Sequence, residues 1–228
     1  MRFVISDPHG EFDLFMKLIK KIGFSKDDEL YILGDVIDKG PSPIRLLKYV
    51  LETPNIKMII GNHEYDFLKF YHSEKKYTKG NSAQILATLQ SYFVDGELLD
   101  MSMVEELDSL PYYFDFDDFL GVHAGVPVDE CGRVMTKDNF DASFLVYDRR
   151  FKDPSLVPVT DKCVIFGHTT TDSICGVNKI LAYRKRNIDV AKSIRDYAKI
   201  HIDTGSWSSG VLGCLEIDTM RVYYVRKR

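Results

Sequence analysis

The 228-residue sequence lacks most signals of a special environment. Its four cysteines, Cys131, Cys163, Cys175 and Cys214, show no CxxC spacing. A chain of this size needs no disulfide staples, so all four read as reduced thiols of the core. No apolar run approaches the ~20 residues that a membrane helix requires. Met1 and Arg2 lead straight into a short apolar stretch ending at Asp7, which does not have the form of a signal peptide. The expectation is therefore a cytoplasmic protein with no membrane partner. Positive charge is not in surplus either, because 30 Lys and Arg against 34 Asp and Glu leave a net charge of −4. That balance argues against nucleic acid as a partner. Repeats and low-complexity segments are absent. What remains, 45% hydrophobic and 28% charged residues, is the composition of an ordinary globular chain, read as one domain over 1–228.

The N-terminal half repeats one pattern three times: a short apolar run, a polar turn, then a helical stretch. Phe3-Val4-Ile5 reads as a buried strand, and Leu14, Phe15, Leu18, Ile19 and Ile22 follow at helical spacing up to Gly23. Leu30 to Leu33 and Met58 to Ile60 are the next strands, with helices over Ile44 to Leu51 and from Glu64 to about Phe70. This alternation predicts an α/β fold with a parallel sheet. Residues 71–111 break the rhythm: a polar loop from Lys75 to Asn81, then helices over Ala83 to Phe93 and Met103 to Leu110, read as a small helical cap insertion. Strands are expected thereafter at Tyr112 to Phe116, Phe119 to Val122, Val164 to Phe166, Ile200 to Ile202, Val211 to Ile217 and Val222 to Val225. The last two form a hairpin about Asp218-Thr219-Met220. Residues 127–162 carry no clear pattern and read as long loops.

The informative fact is where metal-type ligands fall. Asp7 and His9 follow the first strand, Asp35 and Asp38 the second, and Asn62 and His63 the third. His123 and His168 follow the Phe119 and Val164 strands. All lie just past the carboxyl ends of strands, where open α/β sheets gather ligands. A core histidine is the ordinary reading for any one of them; five turns with the same placement point to a shared site. Carboxylate, imidazole and amide oxygen suit divalent Mn, Fe, Zn or similar ions. Two ions ~3.5–4 Å apart can clamp a phosphoryl group for in-line attack. Asp35 suits a bridging position, Asp7 and His9 can chelate one ion across a turn stiffened by Pro8, and Asn62, His123 and His168 can complete the other.

Asp7-x-His9-Gly10, Gly34-Asp35-x-x-Asp38-x-Gly40, Gly61-Asn62-His63-Glu64, His123-Ala124-Gly125 and Gly167-His168-Thr169 occur in the order seen in metallophosphoesterases of the phosphoprotein phosphatase family. In layout the chain resembles the small bacterial and phage-type serine/threonine phosphatases. Ile202-Asp203-Thr204-Gly205 resembles a late segment shared with relatives that hydrolyse diadenosine tetraphosphate. The resemblance implies a calcineurin-like sandwich of two packed mixed sheets flanked by helices. It also implies two divalent metal ions: Asp7, His9 and Asp35 on one, and Asp35, Asn62, His123 and His168 on the other. Manganese is expected, with iron, zinc or nickel as alternatives. Attack would come from a metal-bridging hydroxide, with His63 as general acid and Asp38 hydrogen-bonded to its imidazole. The substrate implied is a phosphate monoester, foremost phosphoserine or phosphothreonine in a protein. The alternative is a dinucleoside polyphosphate or a phosphorylated small molecule.

Two positions depart from the family pattern. Lys39 stands where the family usually has Arg after the second Asp of its motif, and Ile60 where many bacterial members have Arg before Gly61. Arg clamps phosphate bidentately, Lys supplies a point charge, and Ile supplies neither. Arg149, in Tyr147-Asp148-Arg149-Arg150, resembles a phosphate-binding Arg of phage-type enzymes; a solvated charge pair is the other reading. Lys39 and Arg149 are thus the substrate-binding candidates. His201 is either a core histidine or a partner of a ligand, His72 a surface residue, and Trp207 either packing or a stacking surface. Tyr183-Arg184-Lys185-Arg186 and Arg226-Lys227-Arg228 read as solvated basic runs or anion-capturing ones. A catalytically inactive binding module on the same scaffold would have lost ligands, and none of the implied ones is missing.

Overall fold

The computed structural model describes residues 1–93 and 96–227. Three parallel strands, β1 (Arg2–Ile5), β2 (Glu29–Ile32) and β3 (Ile56–Met58), alternate with helices α1 (Phe12–Ile22), α2 (Pro43–Glu52) and α3 (Asn62–Tyr77). Helices α4 (Ser82–Gln90) and α5 (Met101–Asp108) follow, then β4 (Tyr113–Asp115), β5 (Phe119–Val122), α6 (Ala142–Tyr147) and β6 (Cys163–Phe166). The chain closes with α7 (Asp172–Cys175), β7 (Leu181–Arg184), β8 (Tyr197–His201), β9 (Val211–Glu216) and β10 (Arg221–Arg226). Two five-stranded mixed sheets result, ordered β10-β9-β1-β2-β3 and β4-β5-β6-β8-β7. The fold is α/β, with two packed mixed sheets flanked by helices.

Strand periodicity explains the layering. Along a strand, successive side chains point to opposite faces. Val4 and Tyr31 of the first sheet meet Phe119, Cys163, Ile165 and Ile200 of the second in the layer between the sheets. Their neighbours Phe3, Ile5, Leu30 and Ile32 pack outward against Leu14, Phe15 and Leu18 of α1 and Leu46, Leu47 and Val50 of α2. Both faces of these strands are buried, so they read as continuous apolar runs rather than alternating ones. On the outer face of the second sheet, Val122, Val164 and Phe166 pack with Leu145 and Phe151 from the 127–162 region.

Local chemistry sets the helix ends. Gly23 closes α1 in the left-handed conformation (φ 64°), its N–H reaching Ile19 O and Lys20 O. Pro43 opens α2, where its missing N–H costs nothing. Edge strand β10 is shielded by α1: Lys17 Nζ donates to Arg226 O at 2.7 Å and Lys21 Nζ to Tyr224 O at 2.6 Å.

Several expectations are corrected. Helix α3 runs on to Tyr77, through the start of the stretch expected as a polar loop, because Phe67, Leu68 and Tyr71 keep a buried face turned to the core. In 71–111, Ile85, Leu89, Met103, Val104 and Leu107 join the core beneath the first sheet, and residues 94 and 95 lie outside the described residues. Strand β3 begins at Ile56, two residues early. Residues 127–162 contain α6 and paired bridges Val128–Val134 and Arg133–Val159. Strand β7 claims Tyr183 and Arg184 from the expected basic run; as an edge strand that is half exposed, it has no apolar run to betray it. In the other basic run Lys227 pairs with Glu11 at 2.5 Å, and Arg228 lies outside the described residues. Cys163 and Cys214 are core thiols, whereas Cys131 and Cys175 are exposed.

Arg2 ties the two sheets at the end away from the ligand-bearing turns. Its guanidinium donates bidentately to Asp118 before β5 (3.1 and 2.8 Å), and to Asp218 in the β9–β10 turn (2.9 and 2.7 Å). The pairs are partly solvent-screened, so Arg2→Ala should lower unfolding free energy by about 1–2 kcal/mol. Urea titration checks this; Arg2→Lys should recover less than half, since Lys lacks the planar fork.

Candidate active site

The carboxyl ends of β1, β2, β5 and β6 and the N-terminus of α3 meet at one edge of the sandwich. Turn backbones are laced together there: Asp7 N–H donates to Gly34 O (3.2 Å), His9 N–H to Asp35 O (2.8 Å), Gly10 N–H to Val36 O (2.8 Å) and Gly167 N–H to His123 O (2.7 Å). Among the described residues, Asp7, His9, Asp35, Asp38, Lys39 and His168 are six of nine non-glycine residues with positive φ. Each such conformation costs about 1–3 kcal/mol and persists only where its surroundings enforce it. The strain is thus concentrated in the ligand-bearing turns. Gly34 (φ 83°) and Gly61 make the close approach between two of these turns, because a Cβ on Gly34 would lie 2.5 Å from Gly61 Cα.

The expected ligand residues come together. His123 Nδ1 donates to Leu33 O at 2.7 Å, which leaves a lone pair on Nε2. That Nε2 lies 3.0 Å from Asn62 Oδ1, 3.2 Å from His168 Nδ1 and 3.6 Å from Asp35 Oδ2. Asp35 Oδ2 is also 3.5 Å from His9 Nε2 and 3.9 Å from His63 Nε2. Ligand atoms of Asp35, His123 and His168 lie within 4.8 Å of one another, as do those of His9, Asp35 and His63. Asp35 is common to both groups, as a bridging carboxylate must be. Asp7 belongs to neither: its Oδ2 accepts from Ser6 Oγ and from His168 N–H (3.1 Å). His63 Nδ1 donates to Asp38 Oδ2 at 2.8 Å, the pair the sequence anticipates.

Electrostatics favours a cation here. Burial holds His9 down to about 4 and His168 down to about 3, and lowers His123 as well, so all three rings are neutral with lone pairs available. Burial, with Asp203 and Asp35 beside it, pushes Asp7 well above the usual carboxylate range, and burial lifts Asp203 to about 7. Burial opposes ionisation of Asp35, but the surrounding rings of His123, His9 and His63 and the His63 N–H bond favour its charged form, and the net shift is downward. Converging lone pairs and crowded buried carboxylates are what a divalent ion relieves, and oxygen and imidazole nitrogen are suitable donors. Lys39 supplies the cation that is present: its Nζ sits 2.9 Å from the bare Nε2 of His9. The donor set fits divalent metal.

A family model described as calcineurin-like phosphoesterase matches residues 3–190. The chain belongs to this family. Its members are metal-dependent phosphoesterases, in keeping with the ligand groups above. Among curated proteins, the chain is 34% identical over 95 residues to a symmetrical bis(5'-nucleosyl)-tetraphosphatase of Buchnera aphidicola, covering 41% of this chain and 34% of that one. It is 27% identical over 158 residues to an asymmetrical bis(5'-nucleosyl)-tetraphosphatase of Bacillus velezensis, covering 59% and 60%. The matches thus span from about a third to three-fifths of these relatives' lengths. Among solved structures, a putative diadenosine tetraphosphatase superposes with TM-score 0.71 at 16% identity, over 99% of this chain and 92% of that one. A protein serine/threonine phosphatase of Saccharomyces cerevisiae superposes with TM-score 0.60 at 15% identity, over 100% and 80%.

Two further acids matter more than their place in a motif suggests. Glu64 is fully buried; its Oε2 accepts from Asp35 N–H (2.8 Å) and Gly61 N–H (2.9 Å), and its Oε1 from Val36 N–H (2.8 Å) and Ile37 N–H (3.0 Å). An acid at the third position of a helix is a recognisable capping signal, which could have exposed this role. Asp203 lies buried beside Asp7, and Ser206 Oγ donates to Asp7 O at 2.5 Å; nothing local in the sequence marks either contact. The remaining candidates lie further out. Arg149 is exposed, with its charge felt at His168. His201 is buried, stacked on Phe166 and bonded to Thr169 O at 2.6 Å, so it supports the turn after His168. His72 pairs with Asp108 at the surface, and Trp207 is half exposed.

Replacing Glu64 by Gln would turn an NH2 group against backbone donors. Glu64→Gln should lower stability by about 2–3 kcal/mol and cut phosphoesterase activity at least ~10-fold. Urea unfolding and hydrolysis of an aryl phosphate check this; wild-type values in both would show that the four contacts do not hold the Asp35 turn.

Proposed function

We propose that this phosphoesterase hydrolyses the phosphoanhydride bridge of dinucleoside polyphosphates. The chemistry rests on one observation, two groups of ligand atoms that share Asp35 and stand beside the Asp38–His63 pair. The choice of substrate rests on the curated relatives above, which carry the name bis(5'-nucleosyl)-tetraphosphatase. Phosphoserine or phosphothreonine in a protein, which the family resemblance puts first, would use the same chemistry. It is supported here only by likeness of fold to the yeast phosphatase.

In this reading Asp7, His9 and Asp35 hold one metal ion, and Asp35, Asn62, His123 and His168 the other. The ions, manganese or a similar divalent metal, supply activation of water and neutralisation of phosphate charge. Arg149, beside His168, adds a bidentate contact to a phosphate oxygen, and Lys39 a point charge once it leaves His9. Water oxygen bonds to phosphorus as the bond from phosphorus to the leaving oxygen breaks. His63, its Nδ1–H on Asp38, presents a protonated Nε2 to the site and gives that proton to the departing oxygen.

The acid's protonation has a defined direction. Burial works against the charge on His63, but the hydrogen bond to Asp38 and the field of Asp35 outweigh it, and the net shift is upward from 6.5. Only the protonated ring donates, so turnover should fall as pH rises through this raised value. Asp38→Asn removes an anion that favours the imidazolium, so the falling limb should move to lower pH. A pH profile of kcat for both proteins checks this; an unmoved limb would remove Asp38 from the acid's control.

Substrate choice is tested with manganese-loaded protein on diadenosine tetraphosphate and a phosphothreonine peptide in parallel. Faster cleavage of the dinucleotide is expected. Faster release from the peptide would replace the substrate assignment with the protein phosphatase reading. The leaving group gives a second readout, since an alkoxide needs its proton far more than a phosphate does. His63→Ala should therefore cost about 10²-fold or more on the peptide and clearly less on the dinucleotide.

A further inference from the structure

Lys199 is fully buried in the middle of β8, in register with Val164 of β6, and the site chemistry gives it no part. Its ammonium donates to two backbone carbonyls, Phe151 O and Asp153 O, each at 2.7 Å. The rest of the charge faces three rings: Tyr183 at 4.8 Å, Phe151 at 5.2 Å and Phe166 at 5.8 Å from centroid to Nζ. Taking an ammonium out of water is costly, and a Met or Leu would fill an aromatic cage at lower cost. What an apolar side chain cannot do is bind the two carbonyls.

Those carbonyls belong to the loop that carries Arg149. The other side of the loop is pinned to the β5 turn, where Ala124 N–H donates to Leu145 O (2.8 Å), and within the loop Asp148 Oδ2 accepts from Phe151 N–H (2.8 Å). Gly125 lets Asp148 and Phe151 come close, since a Cβ there would lie 2.9 Å from Asp148 Oδ2 and 2.5 Å from Phe151 Cβ. Phe151 packs edge-on against Phe166, two residues before His168. Arg149 itself is exposed, and among the described residues no hydrogen bond or ion pair holds its guanidinium. The aim of that side chain is therefore set by the backbone on either side of it.

We propose that Lys199 is a positioning residue for substrate phosphate: its two carbonyl bonds clamp the 148–153 loop so that Arg149 projects beside His168. The inference rests on the reading of Arg149 as a phosphate-binding residue. Lys199 never touches substrate, and it acts through the loop alone. Its effect should accordingly appear in phosphate affinity and vanish when Arg149 is absent.

The test is a double-mutant cycle on the manganese-loaded full chain, with inorganic phosphate as competitive inhibitor and an aryl phosphate as substrate. Arg149→Ala should weaken phosphate inhibition and raise KM by about tenfold. Lys199→Met should weaken both by about three- to tenfold, and Lys199→Gln, which keeps two N–H donors, by less. In the double variant, Lys199→Met should add less than about twofold to Arg149→Ala. An Arg149→Ala protein with wild-type phosphate affinity would overturn the reading of Arg149 and the inference with it. A normal Arg149 effect with a full, independent Lys199 effect on top would overturn the positioning role alone. Failure of both Lys199 variants to fold would assign the residue to stability and overturn that role too.

Discussion

One carboxylate, that of Glu64, holds the active-site edge together. It accepts four backbone N–H groups, from Asp35, Val36, Ile37 and Gly61, and so joins the turn after β2 to the first turn of α3. Asp35 sits in that turn with φ 56°, a conformation costly for a residue with a Cβ. Without acceptors its buried N–H and those of its neighbours would also be unsatisfied. Glu64 answers both demands and sets Asp35 against Asn62 and His63 on the helix, where His63 N–H donates to Asp35 Oδ1 at 3.0 Å. The β1 turn is then hydrogen-bonded to the β2 turn, so Asp7 and His9 inherit their places from the same anchor.

The site assembled in this way is electrostatically unbalanced by itself. Asp7, Asp35 and Asp203 are buried; Asp7 feels the charge of Asp203 and Asp35, and Asp203 that of Asp35. The neutral rings of His123 and His9 turn lone pairs inward rather than donating protons to these acids. A protein interior tolerates that arrangement poorly unless a cation shares it. The fit to divalent metal is in this sense a property of the buried charge, and it links the stability of the turns to the ligand groups they carry.

The sandwich contributes geometry of a different kind. Parallel strands from both sheets end at one edge, so residues more than a hundred positions apart, such as Asn62 and His168, come within 2.8 Å. The fold alone does not choose a substrate, since structures with tetraphosphatase and protein phosphatase names share it at 15–16% identity. Choice must lie outside the shared scaffold; in this chain the Lys39 turn reaches His9, and the Arg149 loop carries a charge felt at His168.

Much of the site was legible in the sequence because its ligands lie directly after short apolar runs. Strand identity and ligand identity are both local signals, so Asp7, His9, Asp35, Asn62, His123 and His168 group together on chain position alone. The α/β alternation and the β9–β10 hairpin were legible for the same reason. Edge strand β7 and helix α6 were not, since partly exposed elements leave weak periodicity. Exposure of Cys131 and Cys175, the extension of α3 to Tyr77 and the turn of Asp7 Oδ2 toward the His168 N–H also depend on neighbours distant in the chain. Lys199 shows the limit most plainly. It falls just before the strand expected at Ile200 to Ile202 and nothing local marks it; only the folded chain places it in β8 and surrounds it with three rings and two carbonyls. The sequence by itself determined which groups could do the chemistry. Tertiary structure decided which of them face one another, because burial and hydrogen-bond partners come from segments that meet only on folding.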